Sequence, residues 1–259
     1  MDLEEYYNKF NEDKRLESRH GKVEFYVSLK YILKYLNNNL SKKIIDVGAG
    51  TGKYSIELAK NGYDVTAVEL TAHNFGNLKA NIKREGLNIN SYRLNALDLN
   101  KIKSNSYDLV ILFGPMYHLH DNKDKIKALE EAYRVLKTGG VCLVAYTINE
   151  YSIIRHGFMD GFIKKEIENG KVDDKFHVNL SKEDLYDYVR MEDIYYLTSQ
   201  TKFERLETIT PDALTDYLRS DINKMDEDTF NLYKDYVYSI SNRNDILGLS
   251  SHIVDILKK

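Results

Sequence analysis

The sequence has few of the cysteines that form disulfides in small secreted proteins and bind metals in metalloproteins, and it is also poor in proline and tryptophan. Its 259 residues include one cysteine, two prolines and no tryptophan. A single cysteine excludes an intramolecular disulfide framework and a cluster of cysteine metal ligands. Cys142 lies in the apolar run 141–145, so we expect it to be a buried, unreactive thiol.

Long apolar runs and a strong net charge are also missing. No run approaches the ~18 apolar residues of a membrane helix, and no signal-peptide pattern is present, so we expect a cytoplasmic protein without a membrane partner. The net charge is −3. Nucleic-acid binding favours a basic face, so we expect no nucleic-acid partner. A hydrophobic content of 42% and a charged content of 30% are ordinary for one globular domain over residues 1–259.

A glycine-rich turn follows the first apolar strand. Residues 43–47 are typical of a buried strand, three glycines alternate with small residues over 48–52, and a helix-like segment follows over 53–61. Such a corner directs backbone N–H groups and a helix dipole towards a ligand. A dinucleotide fingerprint would need its third glycine at position 53, where the chain has Lys53. The spacing therefore disfavours a nicotinamide-dependent oxidoreductase.

An acidic residue ends the next predicted strand. The segment 63–69 is largely apolar and closes with Glu69. An ionised carboxylate only accepts hydrogen bonds, so it can hold both hydroxyls of a ribose. We expect Glu69 and the glycine turn to line one pocket.

Strands and helices continue to alternate along the chain, which predicts an α/β, doubly wound parallel sheet. Further strands are predicted over 89–97, 107–113, 141–147, 203–209 and 251–257. Further helices are predicted over 22–36, 74–84, 123–137 (ended by Gly139-Gly140) and 226–240, with additional helix starts at Thr210-Pro211-Asp212 and at the capping pattern Ser181–Asp184.

Together these motifs resemble the class I S-adenosylmethionine-dependent methyltransferases, above all a bacterial small-molecule group similar to the ubiquinone/menaquinone type. The resemblance covers about residues 43–147. It rests on the motif I loop Asp46-Val47-Gly48-Ala49-Gly50-Thr51-Gly52, on Glu69, on Arg134-Val135-Leu136-Lys137-Thr138-Gly139-Gly140, and on Phe113-Gly114-Pro115-Met116-Tyr117-His118-Leu119.

The resemblance implies a Rossmann-like, seven-stranded sheet in the order 3-2-1-4-5-7-6, with strand 7 antiparallel. It implies S-adenosylmethionine as cofactor, with Glu69 on the ribose and Leu70 against the adenine. The adenine-binding acid of the family falls at Asn95, followed by Ala96, with Asp98 as the alternative. The remaining cofactor residues that it implies are Asp46, Gly48, Ala49, Gly50, Gly52, Phe113 and Gly114.

The same resemblance divides the single domain 1–259 into four segments. These are an N-terminal helical lid (1–40), the cofactor-binding core (41–147), a helical cap insertion (148–200), and the last two strands with their helices (201–259). Arg15 and His20 in the lid are candidate ligands for the carboxylate of the cofactor; the alternative is a solvated helix face. The alternative for the insertion is a lateral decoration remote from the site.

Two residues after the fourth strand are candidate catalytic residues. Tyr117 and His118 lie where open sheets bind ligands. His118 can take a proton near neutral pH, or its ring packs on the cofactor or caps the next helix. The other histidines show no metal-ligand spacing, so we treat them as surface or core residues and predict no metal site. They include His73, His120, His156, His177 and His252.

The sequence therefore predicts an S-adenosylmethionine-dependent methyltransferase with a small-molecule acceptor. An RNA or protein methyltransferase and a non-catalytic S-adenosylmethionine-binding protein remain as alternatives.

Overall fold

The computed structural model of the protein describes residue 4 and residues 17–259. One seven-stranded sheet organises these residues, in the order β3-β2-β1-β4-β5-β7-β6. The strands are β1 (Lys43–Val47), β2 (Asp64–Glu69), β3 (Asn90–Arg93), β4 (Tyr107–Leu112), β5 (Leu136–Thr147), β6 (Glu204–Ile209) and β7 (His252–Lys258). The predicted strand order is confirmed.

The α-helices of the described residues are α1 (Arg19–Leu36), α2 (Lys53–Lys60), α3 (Ala72–Arg84), α4 (Asn122–Val135), α5 (Asn149–Ser152), α6 (Ile163–Glu168), α7 (Met191–Ser199), α8 (Arg219–Ile222) and α9 (Glu227–Ile240). Short 3₁₀ helices span Pro115–His118 and Leu247–Leu249, and a π-helix spans Ile153–Met159. None of the helices in the described part of the chain combines the length and the apolar composition needed to cross a membrane.

The directions of the strands determine which strand ends meet at each edge of the sheet. β1 pairs in parallel with β2 and with β4, so the carboxyl ends of these strands meet at one edge of the sheet. β7 runs antiparallel between β5 and β6, as predicted, and pairs Thr147 with His252. The first residue of β7 therefore lies beside the last residue of β5, at the same edge.

Two apolar cores cover the two faces of the sheet. Successive residues of a strand point to opposite faces, so Ile44 belongs to one core and Ile45 to the other. On the first face, α1 contributes Val23 and Val27, which are fully buried. Burial of each such side chain stabilises the fold by about 1.5–3 kcal/mol.

Several predicted boundaries were wrong. The helix predicted over 123–137 ends at Val135, and β5 begins at Leu136 because this residue pairs with Tyr107 across the sheet. Gly139 is therefore part of β5, with φ +79°, and does not end a helix. The strand predicted over 89–97 stops at Arg93.

Two predicted helix starts were also wrong. At Ser181 the backbone N–H donates to the Asp184 carboxylate in an isolated turn, and the next helix begins only at Met191. After Thr210 the chain forms turns, and regular helix begins at Arg219. The carboxylate of Asp212 bonds to Ser251 and His252, so long-range contacts decide the local conformation here.

Candidate active site

A cavity opens at the carboxyl edge of β1, β2 and β4. It encloses about 1320 Å³, part of it open to solvent. The predicted site residues that line it are Asp46, Gly48, Ala49, Gly50, Glu69, Leu70, Asn95, Ala96, Phe113, Gly114, Tyr117 and His118. The structure thus brings most of the predicted site together in one place, which we call the first cavity.

Glu69 contacts the glycine turn directly in the wall of this cavity. Its Oε2 accepts a hydrogen bond from the Gly50 backbone N–H at 2.9 Å, and its Oε1 accepts from the N–H and the hydroxyl of Thr71, each at 2.8 Å. Burial raises the pKa of Glu69, and the hydrogen bonds from Thr71 and Gly50 act in the opposite direction. The carboxylate is therefore fixed in place as an acceptor at the end of β2.

Asp46 is a second carboxylate in the wall, only 3% exposed. It accepts a hydrogen bond from the Ser55 hydroxyl of α2 at 2.6 Å, which ties the end of β1 to the helix after the turn. Burial raises the pKa of Asp46 to about 6, helped by the nearby charge of Glu69. Two buried carboxylates give this wall a negative potential, which suits a cationic ligand.

The backbone of the glycine turn at Gly48 is in close contact with the loop after β4. A Cβ on Gly48 would fall 2.5 Å from Cδ of Pro115, and a Cβ on Gly114 would fall 2.9 Å from the Gly48 oxygen. Gly48 also has φ +80°, a left-handed conformation that favours glycine. This stretch of backbone without side chains, with Glu69 beside it and Leu70 and Ala96 as apolar walls, fits an adenosyl cofactor that carries ribose hydroxyls and a sulfonium.

Some predicted cofactor residues lie elsewhere. Gly52 does not line the cavity; it precedes α2 with φ +95°, and a Cβ there would fall 2.5 Å from Cδ1 of Leu78. His20 lines a neighbouring cavity, described below. Arg15 lies outside the described residues. Of the two rivals for the adenine position, Asn95 lines the cavity and Asp98 does not.

The predicted catalytic residues are held by the insertion after β5. His118 Nδ1 lies 2.9 Å from the Leu185 carbonyl oxygen, and its ring stacks on Tyr186 with centroids 5.3 Å apart. Burial lowers the pKa of His118 to about 4, so its imidazole is neutral at physiological pH. Tyr117 also contacts Tyr186, with ring centroids 5.9 Å apart.

An extended segment between β5 and β6, residues 185–190, lies against the loop after β4 and the end of β5. The Asp187 N–H donates to the Tyr117 carbonyl at 2.8 Å, and the Val189 N–H donates to the Thr147 carbonyl at 3.0 Å. Asp187 also pairs with buried Lys125 of α4 at 2.6 Å. Side chains of an extended segment alternate, so Tyr186 and Tyr188 point together to the opposite side.

Tyr186 and Tyr188 line a second cavity beside the first. This second cavity encloses about 930 Å³, part of it open to solvent. It shares three wall residues with the first cavity, namely Glu24, Tyr117 and His252. The two cavities therefore adjoin, and a molecule in one lies next to a molecule in the other.

His252 is a site residue that the sequence reasoning missed. Its Nδ1 lies 2.7 Å from a carboxylate oxygen of Asp212, and Asp212 is only 4% exposed. Ser251 donates a further hydrogen bond to the same carboxylate. A histidine oriented by a buried carboxylate is a common base arrangement. The 40-residue separation of the pair gave no local signal in the sequence.

The residues described by the structure contain no group of three or more histidine, cysteine or acidic side chains placed to hold a metal ion.

Comparison with known proteins agrees with this geometry. Residues 44–140 match a family model described as a methyltransferase domain. The chain is 25% identical over 146 residues to a glycine/sarcosine N-methyltransferase of Parasynechococcus marenigrum, covering 54% of this chain and 52% of that protein. It is 29% identical over 183 residues to a ubiquinone biosynthesis O-methyltransferase of Rickettsia canadensis, covering 69% and 71%.

A solved structure carries the same fold. The crystal structure of an S-adenosylmethionine-dependent methyltransferase from Clostridium acetobutylicum superposes with a TM-score of 0.58, covering 90% of each chain at 15% identity. The chain spans about half the length of the glycine/sarcosine enzymes that it matches. Residues 44–140 therefore match a methyltransferase domain, and the described sheet has the fold of this solved methyltransferase.

Proposed function

We propose that this protein transfers a methyl group from S-adenosylmethionine to a small-molecule acceptor. One observation carries the proposal: the carboxylate of Glu69 is hydrogen-bonded to the glycine turn, and together they line a cavity that adjoins a second cavity. When bound, the cofactor supplies an activated methyl whose C–S bond breaks, with its electron pair leaving on sulfur, as the acceptor lone pair bonds to carbon.

The chain contributes binding and orientation, which alone supply roughly 7–11 kcal/mol to such a reaction. In this proposal Glu69 accepts from the ribose hydroxyls, and the turn around Gly48 and Gly50 meets the methionine part. Leu70 and Ala96 pack on the adenine, with Asn95 at its amino edge. Leu70 is 40% exposed, as expected for an apolar side chain at the rim of a ligand site.

We assign His118 to positioning. A general base works best with a pKa near the working pH, and burial holds the pKa of His118 at about 4. Its bond to the Leu185 carbonyl and its stacking on Tyr186 connect the loop after β4 to the insertion. His118→Ala should therefore loosen the second cavity more than it changes the pH dependence of turnover.

A small molecule is the acceptor that the second cavity favours. In this proposal residues 148–200 are the cap, because Tyr186 and Tyr188 line that cavity, and residues 1–40 are the lid of one domain, 1–259. Glu4 supports the lid, since its carboxylate accepts from the Ala72 N–H at 2.7 Å, next to the first cavity. The named relatives act on glycine or sarcosine and in ubiquinone biosynthesis. An RNA or protein acceptor is the alternative.

Titration calorimetry with S-adenosylhomocysteine tests the cofactor site directly. We expect the full chain to bind it, and Glu69→Gln to weaken binding about tenfold or more, because hydrogen bonds to a charged group contribute about 1.5–3 kcal/mol. Glu130→Gln is the matched control, since Glu130 is exposed on α4 and lines neither cavity. Absence of binding by the native chain would overturn the proposal.

Mass spectrometry of an acceptor panel tests the transfer itself. We expect a methylated product from a small metabolite with native protein and S-adenosylmethionine. Cofactor binding without product from any small molecule, RNA or protein would instead favour a non-catalytic S-adenosylmethionine-binding protein.

A further inference from the structure

Lys53 has a charge that no similar side chain shares in the first cavity. Among the residues that the structure describes, it is the one lysine or arginine that lines this cavity. It is the first residue of α2, directly after Gly52, and it is partly buried. Three carboxylates line the same cavity, those of Glu24, Asp46 and Glu69. The cavity therefore combines a single lysine ammonium with an excess of negative charge.

The amino-acid end of S-adenosylmethionine has the complementary charges. It carries two cationic groups, an ammonium and a sulfonium, and one anionic group, a carboxylate. Carboxylates in the cavity wall suit the two cations. The ligand carboxylate needs hydrogen-bond donors instead, and a lysine ammonium has three donors and no acceptor. Lys53 is thus the charged side chain of this cavity that matches the one anionic group of the ligand.

The two histidines of the first cavity do not supply this positive charge. Burial lowers the pKa of His118 to about 4, so its imidazole is neutral at physiological pH. Nδ1 of His252 lies 2.7 Å from a carboxylate oxygen of Asp212, which offsets a charge on that imidazole. Lys53 is therefore the cation of the cavity wall that is left for an anionic group.

Phe25 of α1 lies beside this ammonium. Nζ of Lys53 is 5.8 Å from the centroid of the Phe25 ring, within the range of a cation–π contact. The same ring packs on Tyr54, the residue after Lys53, with centroids 4.8 Å apart. Ser28, one turn further along α1, lines the first cavity. A ring face accepts no conventional hydrogen bond, so this contact orients the ammonium at the cavity wall and leaves its N–H donors for a ligand.

We propose that Lys53 binds the carboxylate of the methionine part of the cofactor, and that Phe25 is a positioning residue for its ammonium. The sequence offered Arg15 and His20 for this carboxylate. Arg15 lies outside the described residues, and His20 lines the second cavity and not the first. This inference rests on the proposed function and names a binding residue of the same site.

Two ligands that differ in one group test Lys53 without turnover. Calorimetry on the full chain compares S-adenosylhomocysteine with its decarboxylated analogue, S-adenosylthiopropylamine. Lys53→Met should weaken S-adenosylhomocysteine about tenfold, because a hydrogen bond between charged groups is lost. It should change the affinity of the analogue by less than about twofold, since the analogue has no carboxylate. Equal weakening of both ligands, or no weakening of S-adenosylhomocysteine, would overturn the assignment.

Two further lysine variants are the matched controls. Lys53→Arg keeps the charge and should retain most of the affinity for S-adenosylhomocysteine. Lys79→Met removes a lysine of α3 whose Nζ also lies 5.8 Å from a ring centroid, that of Phe75, but which does not line the first cavity. It should leave both ligands unchanged. If His20→Gln, and not Lys53→Met, selectively weakened S-adenosylhomocysteine, the carboxylate would belong to His20.

Variants of Phe25 test the positioning role with the same two ligands. Phe25→Leu should weaken S-adenosylhomocysteine about threefold and spare the decarboxylated analogue, because only the carboxylate contact depends on the placement of the ammonium. Phe25→Tyr keeps a ring and should restore the affinity. A loss that is equal for the two ligands would mean that Phe25 acts by packing α1 on Tyr54 and does not position Lys53.

The two proposals fail separately. If S-adenosylhomocysteine binds the native chain and Lys53→Met equally well, the cofactor site stands and the role of Lys53 falls. If the native chain does not bind S-adenosylhomocysteine, the cofactor assignment itself falls.

Discussion

Gly48 lines the first cavity and packs closely against the loop after β4. Its φ is +80°, and a methyl group added at its Cα would approach Pro115 to 2.5 Å, so only a hydrogen fits there. Gly139 has nearly the same φ, +79°, with no atom within 4 Å of the position that such a methyl group would take. Alanine substitutions at Gly48 and at Gly139 therefore share the backbone strain, and only the one at Gly48 adds steric overlap.

We therefore expect Gly48→Ala to destabilise the fold more than Gly139→Ala. The left-handed conformation costs about 1–2 kcal/mol in either variant, and overlap with Pro115 adds about 1–3 kcal/mol at Gly48 only. Denaturant unfolding measures both, and calorimetry measures S-adenosylhomocysteine affinity, which only Gly48→Ala should lower. Equal losses in the two variants would show that Pro115 yields.

The contribution of Asp46 to the stability of the fold depends on pH. Its folded pKa of about 6 lies above the ordinary aspartate value of 3.8, so the folded state binds the proton more tightly than the unfolded state. The stability from this group is present at low pH and is lost as pH rises through that interval. At neutral pH the ionised form costs up to about 3 kcal/mol.

Asp46→Asn should therefore stabilise the ligand-free protein at about pH 8, and the gain should shrink towards about pH 4. The amide oxygen can still accept the Ser55 hydroxyl, which limits the structural change. Asp64→Asn is the control, because Asp64 is 52% exposed in a surface pair with Lys43. Urea unfolding at several pH values measures the difference; a loss of stability at high pH would contradict it.

At the scale of elements, one buried ion pair fixes the insertion to the sheet layer. Lys125 of α4 is 1% exposed and pairs with Asp187 at 2.6 Å. The same segment carries Tyr186 and Tyr188 into the second cavity. This charged contact thus links the position of α4 to the wall of the second cavity.

Lys125→Met should lower the free energy of unfolding by up to about 3 kcal/mol, because it leaves the Asp187 carboxylate, which is only 14% exposed, without its cation. Lys127→Met on the same helix should change it by less than about 1 kcal/mol, since Lys127 is 52% exposed and lies 3.9 Å from Glu131. Chemical unfolding compares the two. An equally small effect of both variants would mean that the backbone contacts of residues 187 and 189 hold the segment alone.

At the scale of the whole molecule, cofactor binding and folding are linked. S-adenosylhomocysteine at about one hundred times its Kd should stabilise the folded chain by about 2.7 kcal/mol, since it binds the folded state only. For a chain of this size, that raises Tm by about 5–10 °C. Scanning calorimetry measures the shift, with NAD as control. A shift with NAD and none with S-adenosylhomocysteine would point to an oxidoreductase.

Much of the first cavity was predictable from sequence because its parts are local. A strand, a glycine turn and a helix adjoin in the chain, and Glu69 ends the next strand, so short-range pattern rules place them. The Tyr117-His118 pair follows β4 for the same reason. The predicted element boundaries were wrong at Leu136, because strand pairing with Tyr107 overrides the local helix pattern. They were wrong at Thr210, because the long-range contacts of Asp212 override the local capping pattern.

The sequence by itself determined most strands and helices along the chain, the glycine turn, and the carboxylate at the neighbouring strand end, because helix and strand periodicity and glycine conformation act over a few residues. The order of the strands in the sheet came from the family resemblance. Only the tertiary structure decided the second cavity. Its walls come from α1, the loop after β4, the segment between β5 and β6, and the contact of Asp212 with the first residue of β7. No local pattern specifies how side chains so far apart in the chain, such as Asp212 and His252, meet; packing of the whole sheet does.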